Sequence, residues 1–407
     1  MGIYEELSER GLIAQVTNEE KVREILNNEK CVFYIGFEPT ANSLHVGHFV
    51  QILIMSRLQK VGHTPIILFG GGTGMIGDPS GKTDMRRMMT EEEINYNIEC
   101  FKKQASRFID FSEGKAIMIN NSDWLCKLNY IDFLRDIGVH FSVNRMLSAE
   151  CYKQRLEKGL TFFEMNYMIM QSYDFLVLNR KFNCRLELGG DDQWSNIIGG
   201  VELVRRKDAK DVYGLTFVLL TTSQGTKMGK TEKGALWLDP NKTTPYEFYQ
   251  YWRNVDDKDV IKCFKVLTFI SLGQIKKYEQ EQKSDINKAK EILAFEITKL
   301  VHGEECAIKV QEEARRIFSE GEVFSENLIL KLNKKDLKDD KIDLISLLVK
   351  LEMSSSKSES RRLIQQGGIS INKEKTLDVN LVLSSKDLSK GLIIKKGKKI
   401  YKKVILE

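Results

Sequence analysis

The sequence has no run of about 18 apolar residues, the length that a membrane-spanning helix needs, so a bilayer-spanning segment is not expected in this chain. Cysteine is sparse and scattered. There are seven, an odd number, and no two are spaced Cys-x-x-Cys, which argues against a disulfide framework or a structural zinc site and for reduced thiols. The opening Met1-Gly2-Ile3-Tyr4-Glu5-Glu6 is acidic and carries no apolar signal-type stretch, and Glu6 breaks the myristoylation pattern. The expected compartment is the cytoplasm, with no membrane partner. A large excess of one charge is also missing: the net charge is +5 over 407 residues, so only local collections of charge are informative, and the basic one lies at the C-terminus.

What is present is a chain 42% hydrophobic and 29% charged, enough for a large core divided among two or three domains. From Met1 to about Leu220, short apolar runs alternate with amphipathic patterns, the signature of a parallel sheet covered on both faces. Cys31–Ile35, Pro65–Phe69, Ala116–Ile119, Arg185–Leu188 and Leu215–Leu220 read as strands. Glu92–Phe108, Tyr130–Ile137 and Phe163–Leu178 read as helices. The predicted fold class is α/β: a Rossmann-like parallel-sheet domain over residues 1–225, a mainly helical domain over 226–320, a charged linker over 321–341, and a small α+β domain over 342–407.

Chemistry concentrates in Tyr34–His48. The first run ends near Gly36, and Pro39 prevents its continuation as a central strand. Asn42 or Ser43 is placed to cap the next helix, whose Val46, Val50, Leu53 and Val61 fall on one side. His45 and His48 share another face, and Gly47 between them costs helix stability unless something approaches closely. A helix N-terminus also attracts anions.

A glycine-rich run from Gly70 to Thr83 resembles a phosphate-binding P-loop only superficially: Ile76 occupies the required glycine position and Pro79 removes a donor. Asp78, Lys82 and Arg86 place charge there. Tyr167, Gln171 and Asp174 recur at i, i+4 and i+7 on a helix otherwise rich in Met, Phe and Leu. Such a polar face needs partners, and a ligand or a second helix would serve equally well. Gly189-Gly190-Asp191-Asp192-Gln193 puts two acids and an amide between a strand and a helix, and Gly225–Thr231 is a loop with Lys227 and Lys230. Tyr246, Phe248, Tyr249, Tyr251 and Trp252 open the helical domain, where an aromatic face serves as core more often than as an RNA surface. Lysines recur from Lys386 to Lys403, a pattern suited to nucleic-acid phosphates or to an ordinary solvated face.

Taken together, these pieces resemble the bacterial tyrosyl-tRNA synthetases, a family of class I aminoacyl-tRNA synthetases, over essentially the whole chain. His45-Val46-Gly47-His48 resembles the HIGH signature. Lys227-Met228-Gly229-Lys230-Thr231 resembles KMSKS, with Gly229 in place of the serine. The Gly-Asp-Pro-Ser-Gly-Lys run and Gly-Gly-x-Asp-Gln-Trp also match, and the last module is similar to an RNA-binding domain shared with a ribosomal small-subunit protein.

The resemblance implies a ligase that activates L-tyrosine with ATP and Mg2+ and transfers it to tRNA(Tyr), as a homodimer with contacts around Phe133–Leu160. It implies no prosthetic group and no protein metal site. Tyr34 and Asp174 would hold the phenol, Tyr167, Gln171 and Asp78 the ammonium. Gln193 and Asp192 would lie near the tyrosine carboxylate and the ribose, with Gly36, Gly47 and Gly190 allowing close approach of the nucleotide. Thr40, His45 and His48 would meet the phosphates and adenine side, while Lys82, Arg86, Lys227, Lys230 and Thr231 close over pyrophosphate. Glu38 stands where the family usually has Asp, so its contact is open. Tryptophanyl-tRNA synthetases are the nearest enzyme alternative, and an inactive synthetase-like RNA-binding protein is the alternative from another class.

Overall fold

A computed structural model describes residues 1–80, 87–231, 234–281, 285–319, 329–372, 374–389, 391–397 and 400–406. The chain divides into two compact units, residues 1–302 and 303–407.

The first unit is built on a six-stranded sheet. Its strands are β1 (Ile13–Val16), β2 (Val32–Phe37), β3 (Thr64–Phe69), β4 (Ile117–Asn120), β5 (Cys184–Gly190) and β6 (Tyr213–Phe217), in spatial order β1-β6-β5-β2-β3-β4. All neighbours are parallel except β1 and β6. The inner strands are nearly continuous apolar runs, as expected for strands covered on both faces. From β2 the chain winds outward through β3 and β4, then returns to the other side of β2 as β5 and β6. The strand order therefore reverses between β2 and β5, and a crevice opens at the carboxyl ends of these two strands.

The α/β class and the five strands of the sequence reading are present, with ends shifted by at most three residues. β1 is an addition: its Ile-Ala-Gln-Val is short and half-buried, too weak an alternation to stand out. Gly189 and Gly190 lie within β5 instead of beyond it. The Val46–Lys60 helix is capped by His45 rather than by Asn42 or Ser43: His45 Nδ1 accepts from the Gly47 amide at 3.0 Å. An imidazole nitrogen does here what a short oxygen usually does, because the chain enters extended at His45.

Other helix starts follow ordinary rules. Thr90 with Glu93, Thr161 with Glu164 and Thr244 with Glu247 form reciprocal capping boxes. The long Phe162–Phe182 helix ends where Asn183 turns left-handed at φ +51°. It packs into a core with Tyr34, Leu68, Phe175, Leu176 and Leu178. The aromatic residues after Pro245 are also core: Phe248, Tyr249 and Trp252 are buried.

In the second unit a helix spans Glu304–Ser319, and a five-stranded sheet runs Glu374–Lys375, Ile369–Ile371, Leu392–Lys396, Ile400–Leu406, Ile329–Leu332. Helices Leu344–Lys350 and Lys357–Gln365 supply Leu344, Leu347, Leu348 and Ile364 to its core. Ile329–Leu332, which the sequence reading places in the linker, is a strand parallel to Ile400–Leu406, its leucine at 332 fully buried. No helix among the described residues is long and apolar enough to cross a membrane.

Candidate active site

A cavity of about 400 Å³ occupies the crevice at the ends of β2, β3 and β5. Its deepest wall is polar. Asp174, only 2% exposed, accepts from Trp124 Nε1 at 2.7 Å and from Asn121 Nδ2 at 2.9 Å. Burial pushes its pKa up to about 8 in spite of these two donors, and the nearby carboxyls of Glu187 and Glu38 push the same way. Tyr34 is buried on the adjacent strand, its hydroxyl titrating well above the usual range because of burial and of Glu187 and Asp174 beside it.

The middle of the cavity is a hydrogen-bonded frame. Tyr167 Oη donates to Glu38 Oε1 at 2.9 Å, and Thr73 Oγ1 donates to the same oxygen at 2.8 Å. Asn121 Nδ2 reaches Thr73 Oγ1 at 3.0 Å, so Glu38 is linked back to Asp174. This is the contact of Glu38 that sequence left open. The glycines around it are explained by space: a Cβ at Gly70 would fall 2.6 Å from Glu38 Oε1, and one at Gly71 would fall 2.1 Å from Asn120 Oδ1. Gln171 Nε2 donates to Glu187 Oε1 at 2.9 Å. Asp78 accepts from Gln193 Nε2 at 2.7 Å and from the Ser80 amide at 2.9 Å, which joins the loop after β3 to the turn after β5.

The outer end of the cavity gathers the histidines and lysines. The His45 and His48 rings stack at 3.8 Å between centroids, and His48 Nδ1 accepts from the His45 amide at 3.4 Å. Because Nδ1 of each ring accepts a backbone hydrogen, the neutral tautomer carries its proton on Nε2, and each ring keeps that N–H as a donor. Gly47 is required by His45 itself: a Cβ there would sit 2.8 Å from the ring.

The lysine loop is fastened to the same helix start. Val46 N donates to Leu236 O at 3.1 Å, Leu238 N to Leu44 O at 2.9 Å, and Leu236 N to Gly229 O at 2.7 Å. Gly229 N donates to Tyr251 Oη at 2.8 Å. Gly229 adopts φ +80°, a conformation that strains a serine, which accounts for glycine at this place in the signature. Lys227 lies 3.8 Å from Asp192. Burial raises the Asp192 pKa and Lys227 lowers it.

Of the residues singled out from sequence, the cavity is lined by Tyr34, Gly36, Glu38, His45, Gly47, His48, Asp78, Tyr167, Gln171, Asp174, Gly190, Asp192, Gln193, Lys227 and Lys230. Thr40 is exposed, its amide donating to Glu38 O at 2.8 Å, and it is not part of the lining. Thr231 stands in the short strand Lys230–Thr231. Lys82 and Arg86 lie outside the described residues. Sequence reasoning missed Thr73, Asn121, Trp124, Glu187 and Tyr251. Asn121 had a signal, since Asn120-Asn121 directly follows the predicted strand Ala116–Ile119; Trp124 and Tyr251 read as ordinary aromatics.

Comparison with known proteins agrees with this arrangement. Residues 26–319 match the family described as tRNA synthetases class I (W and Y), and residues 326–404 match the tyrosine–tRNA ligase SYY-like C-terminal domain. A tyrosine–tRNA ligase of Clostridium botulinum (strain 657 / Type Ba4) is 58% identical over 409 residues, covering 100% of both chains. One of Acetivibrio thermocellus is 59% identical over 405 residues, covering 99% of both. Among solved structures, a C-terminally truncated mitochondrial tyrosyl-tRNA synthetase of Aspergillus nidulans superposes with a TM-score of 0.69 at 29% identity, over 78% of this chain and 94% of that one. With a family match across most of the chain and full-length relatives well above half identical, the chain belongs to the class I tRNA synthetases grouped as W and Y.

Proposed function

We propose that the cavity binds L-tyrosine and ATP and that the chain works as a tyrosine–tRNA ligase, forming tyrosyl-adenylate and transferring the tyrosyl group to the 3′-terminal adenosine of tRNA(Tyr). The observation that carries the amino-acid assignment is the buried end of the cavity, where Tyr34 faces the same space as Asp174, itself held by Asn121 and Trp124. A phenol both donates and accepts, so it can pair with a carboxylate and a hydroxyl together. An indole N–H only donates, so it can pair with one of these two groups and not with both.

The other roles follow from position. Tyr167, Gln171 and Asp78 receive the substrate ammonium; Gln193 and Asp192 lie beside its carboxylate and the ribose, with Gly36 and Gly190 letting the nucleotide approach. A Cβ at Gly36 would meet no protein atom within 4 Å, and Gly36 lines the cavity. His45 and His48 offer Nε2–H donors to the phosphates at a helix N-terminus, whose dipole also favours anions. By the family resemblance rather than by position, Thr40, Lys82, Arg86, Lys230 and Thr231 would complete the phosphate side, with Lys227 near Asp192.

The tyrosine carboxylate attacks the α-phosphorus of ATP, the bond from that phosphorus to the bridging oxygen breaks, and pyrophosphate leaves. The ribose hydroxyl of the tRNA end then attacks the activated carbonyl and AMP leaves. No protein nucleophile is needed, so catalysis is positioning plus stabilisation of charge that grows on phosphate oxygens. ATP enters as its magnesium complex. The four-part division at residues 225, 320 and 341 remains our reading of domain roles, with a cytoplasmic location and tRNA contact by the lysine-rich C-terminal module. We also read the chain as a homodimer, because Val139, Val143 and Leu156 are exposed apolar residues in the segment assigned to the interface.

Tyrosine-dependent exchange between pyrophosphate and ATP tests the reading: phenylalanine should support exchange at a kcat/KM at least about 10²-fold lower, because it forfeits the hydrogen bonds to both Tyr34 and Asp174. Equal rates, or none with tyrosine, would refute it. Lys230→Ala should lower the exchange kcat by about 10²-fold, as loss of a transition-state donor does, with the tyrosine KM within about twofold; a large loss of tyrosine affinity by equilibrium dialysis would contradict the role. A chain ending at Ser319 should retain exchange and lose most tRNA charging, whereas undiminished charging would remove the C-terminal module from tRNA binding. Sedimentation equilibrium should give twice the chain mass, and Val143→Glu should shift it towards one.

A further inference from the structure

Glu187 lies in mid-strand on β5, directly opposite Tyr34 of β2 in the parallel register, and is 1% exposed. Nothing in the reaction as described uses it. A carboxyl with so little water is costly unless it is paired or neutral, yet Gln171 Nε2 is its one aligned hydrogen-bond donor among the described residues. Glu187 Oε2 and Tyr34 Oη each lack an aligned partner there, although the Tyr34 hydroxyl is near enough to draw the Glu187 pKa down. Asp174, on the far side of the same space, feels Glu187 as a like charge.

We propose that Glu187 is a positioning residue for the substrate phenol, closing a hydrogen-bond chain Glu187–Tyr34–phenol–Asp174 whose two end carboxyls hold a single proton between them. This rests on the reading that tyrosine fills the cavity with its hydroxyl between Tyr34 and Asp174.

The count of donors and acceptors makes the argument. Two hydroxyls in a row between two carboxyl ends require three hydrogen bonds and therefore three protons. The hydroxyls bring two, so one must come from an end. With Glu187 neutral, its Oε2 donates to Tyr34, Tyr34 donates to the phenol and the phenol donates to Asp174. With Asp174 neutral the chain runs the other way. When both ends are ionised, each hydroxyl turns towards its own carboxylate, and two oxygens face each other with no hydrogen between them.

The surroundings favour one shared proton. Burial raises the Glu187 pKa to about 7 against the opposing pull of Gln171 and Tyr34, and burial raises that of Asp174 to about 8. Two coupled carboxyls of this kind release their protons in separate steps. Among the described residues, the groups that face Glu187 bring no cation: Tyr34 comes from β2, Gln171 and Asp174 from the Phe162–Phe182 helix and Gly214 from β6, with Cys184 on its own strand. On the Trp194–Asp208 helix it meets Gly200, where a Cβ would lie 3.0 Å from Oε2.

The test is the tyrosine KM for pyrophosphate exchange between about pH 6.5 and pH 8.5, below the titration of a free phenol. In the unsubstituted chain KM should rise about fivefold or more as the second end loses its proton, the size of one lost hydrogen bond. Glu187→Gln should hold KM within about twofold over that range, since its amide still donates to Tyr34 and accepts from Gln171 but has no proton to release. Glu187→Met should raise KM about tenfold at pH 7 with little change in kcat. Inhibition by phenylalanine, which has no hydroxyl to bridge the chain, should follow the same pH profile in the unsubstituted and Gln chains. Parallel tyrosine profiles for those two chains, or a Gln variant as impaired as the Met variant, would overturn the role. If the Met variant fails to fold, the Gln comparison alone decides. No tyrosine-dependent exchange in the unsubstituted chain would instead defeat the ligase reading, so the two failures are distinguishable.

Discussion

A sheet covered on both faces has no water to offer a polar group in mid-strand, and that constraint governs this site. Tyr34 and Glu187 face each other across β2 and β5 in the middle of such a sheet. They are tolerable only because the strand order reverses between these two strands and opens a cavity there. Everything the cavity recognises must then be fixed by other buried polar groups. Asp174 is held by Asn121 and Trp124, Glu38 by Tyr167 and Thr73, and Asp78 by Gln193. Each carboxyl arrives with donors already aimed at it, so little reorganisation is left for the moment a ligand enters.

The same constraint explains the glycines better than conformational freedom does. Gly70, Gly71 and Gly190 have ordinary negative φ, so any residue could adopt their backbone. What they lack is room: side chains of Glu38, Asn120 and Asp192 occupy the places where their Cβ atoms would stand. The glycine-rich run after β3 is thus part of the frame that holds Glu38, and its likeness to a phosphate loop is a by-product of crowding.

Much of this was legible in the sequence. The alternating apolar runs identified five of the six strands, because buried parallel strands are nearly uniform in hydrophobicity and have clear ends at glycine. The polar face Tyr167, Gln171, Asp174 was visible because helical spacing puts three costly groups on one side of an apolar helix. Their partners were not visible. Asn121 and Trp124 lie about fifty residues earlier in the chain, and nothing local marks a tryptophan N–H as a donor to a distant carboxylate. Glu187 was hidden for the opposite reason: in Arg-Leu-Glu-Leu it reads as the outward polar residue of an ordinary alternation, and only the pairing of β5 on both sides turns it inward. β1 was missed because antiparallel pairing at an edge leaves a strand half-exposed, which blurs its pattern.

The histidine and lysine signatures, far apart in sequence, are joined by backbone rather than by side chains. Leu44 and Val46, on either side of His45, pair with Leu238 and Leu236, and Leu236 pairs in turn with Gly229. A movement of the lysine loop that kept these bonds would carry the start of the Val46–Lys60 helix with it, and one that broke them would leave buried Val46, Leu236 and Leu238 without their backbone partners. These bonds therefore couple the loop around residue 229 to the start of that helix. Gly229, with its positive φ and its amide on Tyr251, anchors the middle of the loop. Lys227 and Lys230 stand on its two sides, Lys227 bridged to Thr221 and Lys230 paired with Ala235.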